Sequence, residues 1–212
     1  MPSLHQPAIR SMRLRRTCVV AAAVSLFACS TSGTTRPTAI ATQDESGFTI
    51  TEQASVSASV RAKFESAMRF LEQGAYDRGI ALLVDVTEAA PEVAALRIDL
   101  GIAYGQVGDF ERAEDNIKKA LQLNPRHPVA YNELGILYRK MGRFEKARQS
   151  YEKALDVYPD FHFAQRNLAI LCDVYLSDLS CALEHYQAYS EAVKDDEAID
   201  MWIADLRSRI GE

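Results

Sequence analysis

From about residue 60 onward, apolar residues recur at i, i+3, i+4 and i+7 in blocks the length of a short helix, and Gly or Pro interrupts each block. Such blocks predict amphipathic helices, each with one face to bury. The last block, Glu197–Ile210, puts Ile199, Ile203, Leu206 and Ile210 on one face with Trp202 beside them. Over residues 197–212 it reads as a helix that covers the end of whatever precedes it. Upstream the pattern changes. Residues 29–59 are rich in Ser, Thr, Ala and Gln with little apolar periodicity, and they read as a disordered tether. Ahead of the tether, Thr17–Ala28 is an apolar run of twelve.

The helical blocks superimpose on one another at an offset of 34 residues. Pro91, Pro125 and Pro159 keep that spacing, as do Gly74, Gly108 and Gly142, and the series Ala67, Gly101, Gly135 and Ala169. Tyr76, Phe110 and Phe144 follow, and so do Phe70, Tyr104 and Tyr138, with Cys172 in the next place. Four units result: 60–93, 94–127, 128–161 and 162–196. The first departs most, with Gly79 and Val86 where Ala is usual. The fourth keeps Leu168-Ala169 but gains a residue near its turn, so Ala182 and Tyr186 arrive one place late.

These positions resemble the tetratricopeptide-repeat (TPR) family. Unit 94–127 carries Leu100-Gly101, Tyr104, Gly108, Phe110, Ala113, Ala120 and Pro125. Unit 128–161 carries Tyr131, Leu134-Gly135, Tyr138, Gly142, Phe144, Ala147, Tyr151, Ala154 and Pro159. The resemblance implies an all-α fold: a superhelical array of about four antiparallel helix pairs plus a C-terminal capping helix. No unit buries its faces alone, so at least three must stack.

In that family the first helix of each pair lines the concave face, where partners lie. Its ninth position here holds Met68, Ile102, Ile136 and Ile170, an apolar stripe with the same period. The fifth position adds Phe64, Ile98, Asn132 and Arg166, and the twelfth position of the third unit adds Arg139. The carboxylate clamp of TPR co-chaperones asks for Lys at the fifth place and Asn at the ninth, and no unit has that pair. The groove is therefore expected to take an apolar or amphipathic segment, with Asn132, Arg139 and Arg166 fixing its polarity. The alternative is that the Ile residues are packing residues half-buried between neighbouring helices.

The N-terminus reads as an address. A basic stretch ending in Arg15-Arg16 precedes the apolar run, which is too short for the roughly 20 residues a membrane-crossing helix needs and suits a secretory signal. The segment ends Leu26-Phe27-Ala28-Cys29, which resembles the lipobox of bacterial lipoproteins. That resemblance implies a signal peptide over 1–28, acylation of Cys29, and attachment to the outer membrane facing the periplasm, since Ser30 stands where an inner-membrane retention Asp would be. An ordinary signal with an incidental Cys is the other reading.

Charge narrows the partners. The first 29 residues hold Arg10, Arg13, Arg15 and Arg16 and no acid, which leaves 20 basic residues against 29 acidic ones, a net charge of −9. An acidic body is repelled by phosphate backbones, so nucleic acid is not an expected partner. Cys172 and Cys181 lie nine apart across a predicted hairpin and either bridge or sit as two buried thiols. No His or carboxylate pair has metal-ligand spacing beside them, and no metal or other cofactor is expected. His127, His162 and His185 read as surface or capping residues. There is no Gly-rich phosphate loop, nucleophile elbow or HExxH motif, so no enzyme is expected. The expected role is a non-enzymatic, membrane-anchored scaffold in assembly of a cell-envelope machine. Lipobox, tether and repeat stack together are loosely similar to the TPR lipoproteins of type IV pilus and secretin biogenesis. Partnership with peptidoglycan enzymes or with a TonB-like complex fits equally, and a small-ligand or glycan-binding module is the alternative from another class.

Overall fold

The structure is a computed structural model that describes residues 38–43, 49–54, 56–194 and 196–211. It opens with two antiparallel strands, β1 (Thr38–Gln43) and β2 (Thr49–Ala54), with Thr38 opposite Ala54 and Gln43 opposite Thr49. This corrects the expectation of a featureless tether over 29–59. The stretch lacks the long apolar period that betrays a helix. It does carry Thr38, Ile40, Thr42, Thr49, Ile50 and Thr51, whose β-branched side chains favour extended backbone. The rest of the tether expectation lies outside the described residues, as do residues 1–37.

The remaining elements are helical. They are α1 (Ala58–Glu72), α2 (Tyr76–Ala89), α3 (Ala94–Gln106), α4 (Phe110–Leu123), α5 (Pro128–Lys140), α6 (Phe144–Val157), α7 (His162–Ile170), α8 (Leu179–Ala192) and α9 (Glu197–Ile210). A π-helical segment, Leu171–Leu176, prolongs α7. Helices α1/α2, α3/α4, α5/α6 and α7/α8 pair as hairpins; each second helix packs on the first helix of the next pair, and α9 packs on α8.

Local chemistry sets the boundaries. Ser57 and Asp109 accept the backbone N–H groups of Val60 and Arg112 at the starts of α1 and α4, and His127 Nδ1 accepts that of Ala130 ahead of Pro128 in the first turn of α5. Helices α2, α4 and α6 each end two residues before a proline. The pre-proline residues Ala90, Asn124 and Tyr158 have φ between −134° and −144°, away from the helical region, as the proline ring demands. Inside the first three hairpins the turns use Gly74, Gly108 and Gly142 at φ 75°, 81° and 70°.

The fourth hairpin shows where its extra residue goes. It is absorbed in the helix rather than the loop, as the π turn of Leu171–Leu176, and Ser177 takes the left-handed position at φ 54°. In the first three units an aromatic ring near the hairpin's closed end meets a cation from the second helix. Arg78 lies over Phe70 at 3.9 Å, Arg112 over Tyr104 at 4.3 Å and Lys146 over Tyr138 at 5.5 Å. In the fourth, Cys172 holds the aromatic's place and is disulfide-bonded to Cys181, with Cα atoms 5.9 Å apart. The bridge thus replaces the cation–ring pair that closes the other hairpins.

The core runs continuously through the stack, from Ala67 and Leu83 through Ile117, Tyr151 and Leu168 to Tyr186, Ile199 and Leu206. The caps on its end are Ile199, Ile203 and Leu206, while Trp202 lies against Tyr186 with ring centroids 5.5 Å apart. Ile210, expected on that face, is exposed in the last turn of α9. Between the second and third units a polar knot reinforces the apolar contact. Glu114 Oε1 accepts from the Tyr138 hydroxyl at 2.9 Å and from Lys118 at 2.6 Å, and Glu114 Oε2 pairs with Arg143 at 3.3 Å. Burial alone would push the Glu114 carboxyl up, but the bonds from Lys118 and Tyr138 outweigh it and hold the group below its ordinary range.

Candidate functional site

The first helices of successive units touch along one side of the stack, α3 against α5 and α5 against α7. Close approach within a pair depends on small residues, most severely at Gly135. A Cβ there would lie 2.5 Å from Cε1 of the Tyr151 ring, so the ring passes directly under the helix backbone. This tight seating fixes which side chains of α1, α3, α5 and α7 look outward.

The stripe expected along that side divides in two. Phe64, Met68, Ile102 and Ile136 are half-buried, and Phe64, Ile102 and Ile136 rest one flank on the core. Ile98, by contrast, is 1% exposed and Ile170 is 9% exposed, so both are core residues with nothing to offer a partner. Asn132 is also withdrawn, at 4% exposure. Its Oδ1 accepts from Asn167 Nδ2 at 2.9 Å, and its Nδ2 donates to Glu133 Oε1 at 3.3 Å. The role expected for Asn132, fixing a ligand's polarity, is therefore corrected: its amide couples α5 to α7. Arg139 and Arg166 are half-buried on the same helices, each over an aromatic ring, Tyr175 at 5.8 Å and Tyr189 at 5.9 Å respectively.

Tyr151, Tyr175 and Asn167 matter at this face and were not singled out for it from the sequence. Tyr151 sits where the first and second units have Leu83 and Ile117, one apolar place in the repeat, so its hydroxyl attracts no notice by pattern. Burial pushes that phenol far up, and the neighbouring Arg139 works against the shift. For Arg139 itself burial acts downward, and the phenols of Tyr151 and Tyr175 more than offset it. Tyr175 reaches the site because the π turn carries it there, against Phe144 at a centroid distance of 4.8 Å.

The three histidines are structural. His127 caps α5, His162 is buried beside Phe163 with ring centroids 4.1 Å apart, and His185 Nδ1 lies 2.6 Å from Gln165 Oε1. Burial pushes His185 below its ordinary value, against the pull of Glu184 and Glu152. Near the disulfide, Asp178 completes a group with Cys172 and Cys181 whose ligand atoms lie within 4.8 Å of one another. Spacing did not reveal this aspartate, because it caps α8 rather than sharing a helix face. The sulfurs are bonded to each other, and the Asp178 carboxylate is taken by Arg148 at 2.8 Å and by the Cys181 backbone N–H at 3.2 Å, so the group serves as a clamp on the hairpin. Cys29 lies outside the described residues. Among those residues no helix is long and apolar enough to cross a membrane.

Comparison with known proteins agrees with this architecture. Two tetratricopeptide-repeat profiles match, one over residues 92–160 and one over 132–197, which together cover half of the chain. No curated protein matches the sequence. Among solved structures the chain is similar to a protein from Pseudomonas aeruginosa, pilF, with a TM-score of 0.64, 19% identity, and coverage of 71% of this chain and 68% of that one. A thermophilic TPR protein of Thermus thermophilus gives 0.62, 22% identity, and coverage of 69% and 80%. MamA from Desulfovibrio magneticus RS-1 gives 0.61, 19% identity, and coverage of 73% and 87%. At these identities the likeness is one of fold. With its 34-residue period, its paired helices and the two matching profiles, the chain belongs to the tetratricopeptide-repeat family.

Proposed function

We propose that this protein is a non-catalytic adaptor that holds an apolar or amphipathic protein segment along the inner face of its helix stack. The observation that carries the reading is the line of half-open apolar side chains Met68, Ile102 and Ile136, one per unit at a constant period, flanked by the cation of Arg139. A segment laid there covers apolar surface from three units at once. At about 25 cal/mol per Å² removed from water, a few hundred Å² offsets much of the cost of ordering a short peptide. A glycan or small-ligand site is less favoured, because the side chains that form the line are aliphatic or thioether and offer no ring face for a sugar to stack on, Tyr175 beside Arg139 being the nearby exception.

The membrane address belongs to the same proposal. The Leu26-Phe27-Ala28-Cys29 sequence supports lipidation at Cys29 and an outer-membrane position facing the periplasm. The Cys172–Cys181 bridge is in keeping with an oxidising compartment. Assembly of a cell-envelope machine, such as a pilus or secretin, is the process these features suit best.

Two measurements test the proposal. A photo-crosslinking residue at Ile102 or Ile136 should trap a protein partner in cells, and Ile136→Glu should abolish the product while the helical circular dichroism persists. Equal crosslinking with and without the glutamate would refute the groove. For the anchor, Cys29→Ala should move the protein from membranes to the soluble fraction, and a mutant that still sediments with the outer membrane would refute lipidation.

A further inference from the structure

The least explained chemistry on the inner face is at Arg139. Its guanidinium is half-buried, yet the groups that act on it most strongly are two phenols, Tyr151 and Tyr175, with no carboxylate among them. Arg139 Nε and the fully buried Tyr151 hydroxyl make no well-formed hydrogen bond among the described residues, although Tyr151 and Tyr175 both lie close enough to the guanidinium to interact with it. The acid that acts on Tyr151 is Glu133, whose carboxylate accepts from the Asn132 amide. Leaving a buried donor poorly satisfied is costly, and more so for a charged one. Packing does not require the hydroxyl, since Leu83 and Ile117 fill the same place in the first two units. Nor does the repeat require the arginine, because the twelfth position holds Leu71, Gly105 and Asp173 in the other units.

Resting on the groove reading, we propose that Arg139 anchors an acidic side chain, Asp or Glu, carried by the segment that lies along Ile102 and Ile136. The carboxylate approaches side-on, across Nε and one terminal nitrogen, the paired geometry that suits a guanidinium and a carboxylate. Tyr151 supplies a second donor from below. Tyr175, over the guanidinium at 5.8 Å and itself partly exposed on the π segment, shifts to admit the ligand. The partner is thus an amphipathic segment with an acid set among apolar residues. The apolar stripe supplies area, and the arginine supplies register and direction.

The test uses the full chain and a phage-displayed library of random 12-residue peptides, with selected binders resynthesised as C-terminal amides. Binders should carry an Asp or Glu at a fixed place among apolar residues. Changing that acid to its amide, or Arg139→Gln in the protein, should each weaken binding about ten-fold or more. The two losses should not add when combined, and Arg139→Lys should recover part of the affinity. Tyr151→Phe should cost several-fold. Binders weakened by Ile136→Glu but indifferent to Arg139→Gln and to loss of their own acid would overturn this inference and leave the groove standing. Binders indifferent to Ile136→Glu, or no binders at all, would overturn both. Affinity lost on amidation alone would place a terminal carboxylate on Arg139 and overturn the side-chain assignment. Should Arg139→Gln fail to fold, the peptide substitutions and Arg139→Lys decide the matter.

Discussion

Adding one methyl group to the chain should have opposite effects at two glycines four residues apart in the repeat. At Gly135 an added Cβ would stand 2.5, 2.6 and 2.9 Å from Cε1, Cδ1 and Cζ of Tyr151, an aromatic ring with no flexible end to swing aside and no exposed surface. Overpacking of this kind costs about 1–3 kcal/mol, more than the ~1 kcal/mol by which Ala is the better helix former. With three contacts under 3 Å to an enclosed ring, the cost falls in the upper part of that range, about 2–3 kcal/mol. Gly135→Ala should therefore destabilise the array by about 1–2 kcal/mol net, a fall in melting temperature of roughly 2–8 °C for a domain of this size. Gly105 is the counterpart on α3. A Cβ there meets only Leu137 Cδ1 at 3.7 Å and Ala113 Cβ at 3.8 Å, which is ordinary contact. Gly105→Ala should stabilise by about 0.5–1 kcal/mol through helix propensity alone. Thermal and urea melts followed by circular dichroism measure both, and Tyr151→Leu should relieve most of the Gly135→Ala penalty. A Gly135→Ala protein that melts at or above the parent would refute the close-packing account. So would a double mutant no better than the single.

Other substitutions probe separate parts of the array. Glu114→Gln should cost on the order of 1–2 kcal/mol by removing the charge that joins the second and third units. Because the folded Glu114 carboxyl titrates below its unfolded value near 4.5, its contribution is complete above that pH and is lost as the pH falls through the lowered value; acid titration of stability should be shallower in the mutant. Opening the Cys172–Cys181 bridge with a reductant, or by Cys172→Ala with Cys181→Ala, should remove roughly 2–3 kcal/mol, seen as faster hydrogen exchange in α7, α8 and α9 before any change in α3 to α5. Ile98→Val should cost about 0.5–1.5 kcal/mol of stability and leave peptide affinity unchanged, because that side chain is core and not groove.

The repeat itself was plain in the sequence because each of its marks answers a geometric need that recurs unchanged: a left-handed residue in the turn, a small residue where helices cross, a proline after the second helix. The extra residue of the fourth unit was also visible, as the late arrival of Ala182 and Tyr186. Its resting place was not, since an insertion can enter a loop or a helix and the order of residues is the same. The groove was legible only in part. Periodicity names the residues on one side of a helix, but neighbouring helices decide how many remain uncovered, and here they cover Ile98, Asn132 and Ile170. The hydroxyl of Tyr151 lay hidden because the repeat accepts Leu, Ile or Tyr at that place. The hairpin β1–β2 was missed because six-residue strands of Thr, Ala, Ile and Gln carry no helical period and little apolar content.

The amide bond between Asn132 and Asn167 also has a mechanical side. Curvature in a stack of hairpins depends on how firmly successive first helices are held at their inner edge. At the C-terminal end a directional bond fixes that edge between the third and fourth units. At the N-terminal end the fifth positions are Phe64 and Ile98, and apolar faces can slide a little without breaking anything specific. The molecule therefore resembles a clamp with one rigid jaw and one compliant one. On the proposed groove reading, a bound segment meets a fixed edge near Arg139 and a more compliant one toward the first unit.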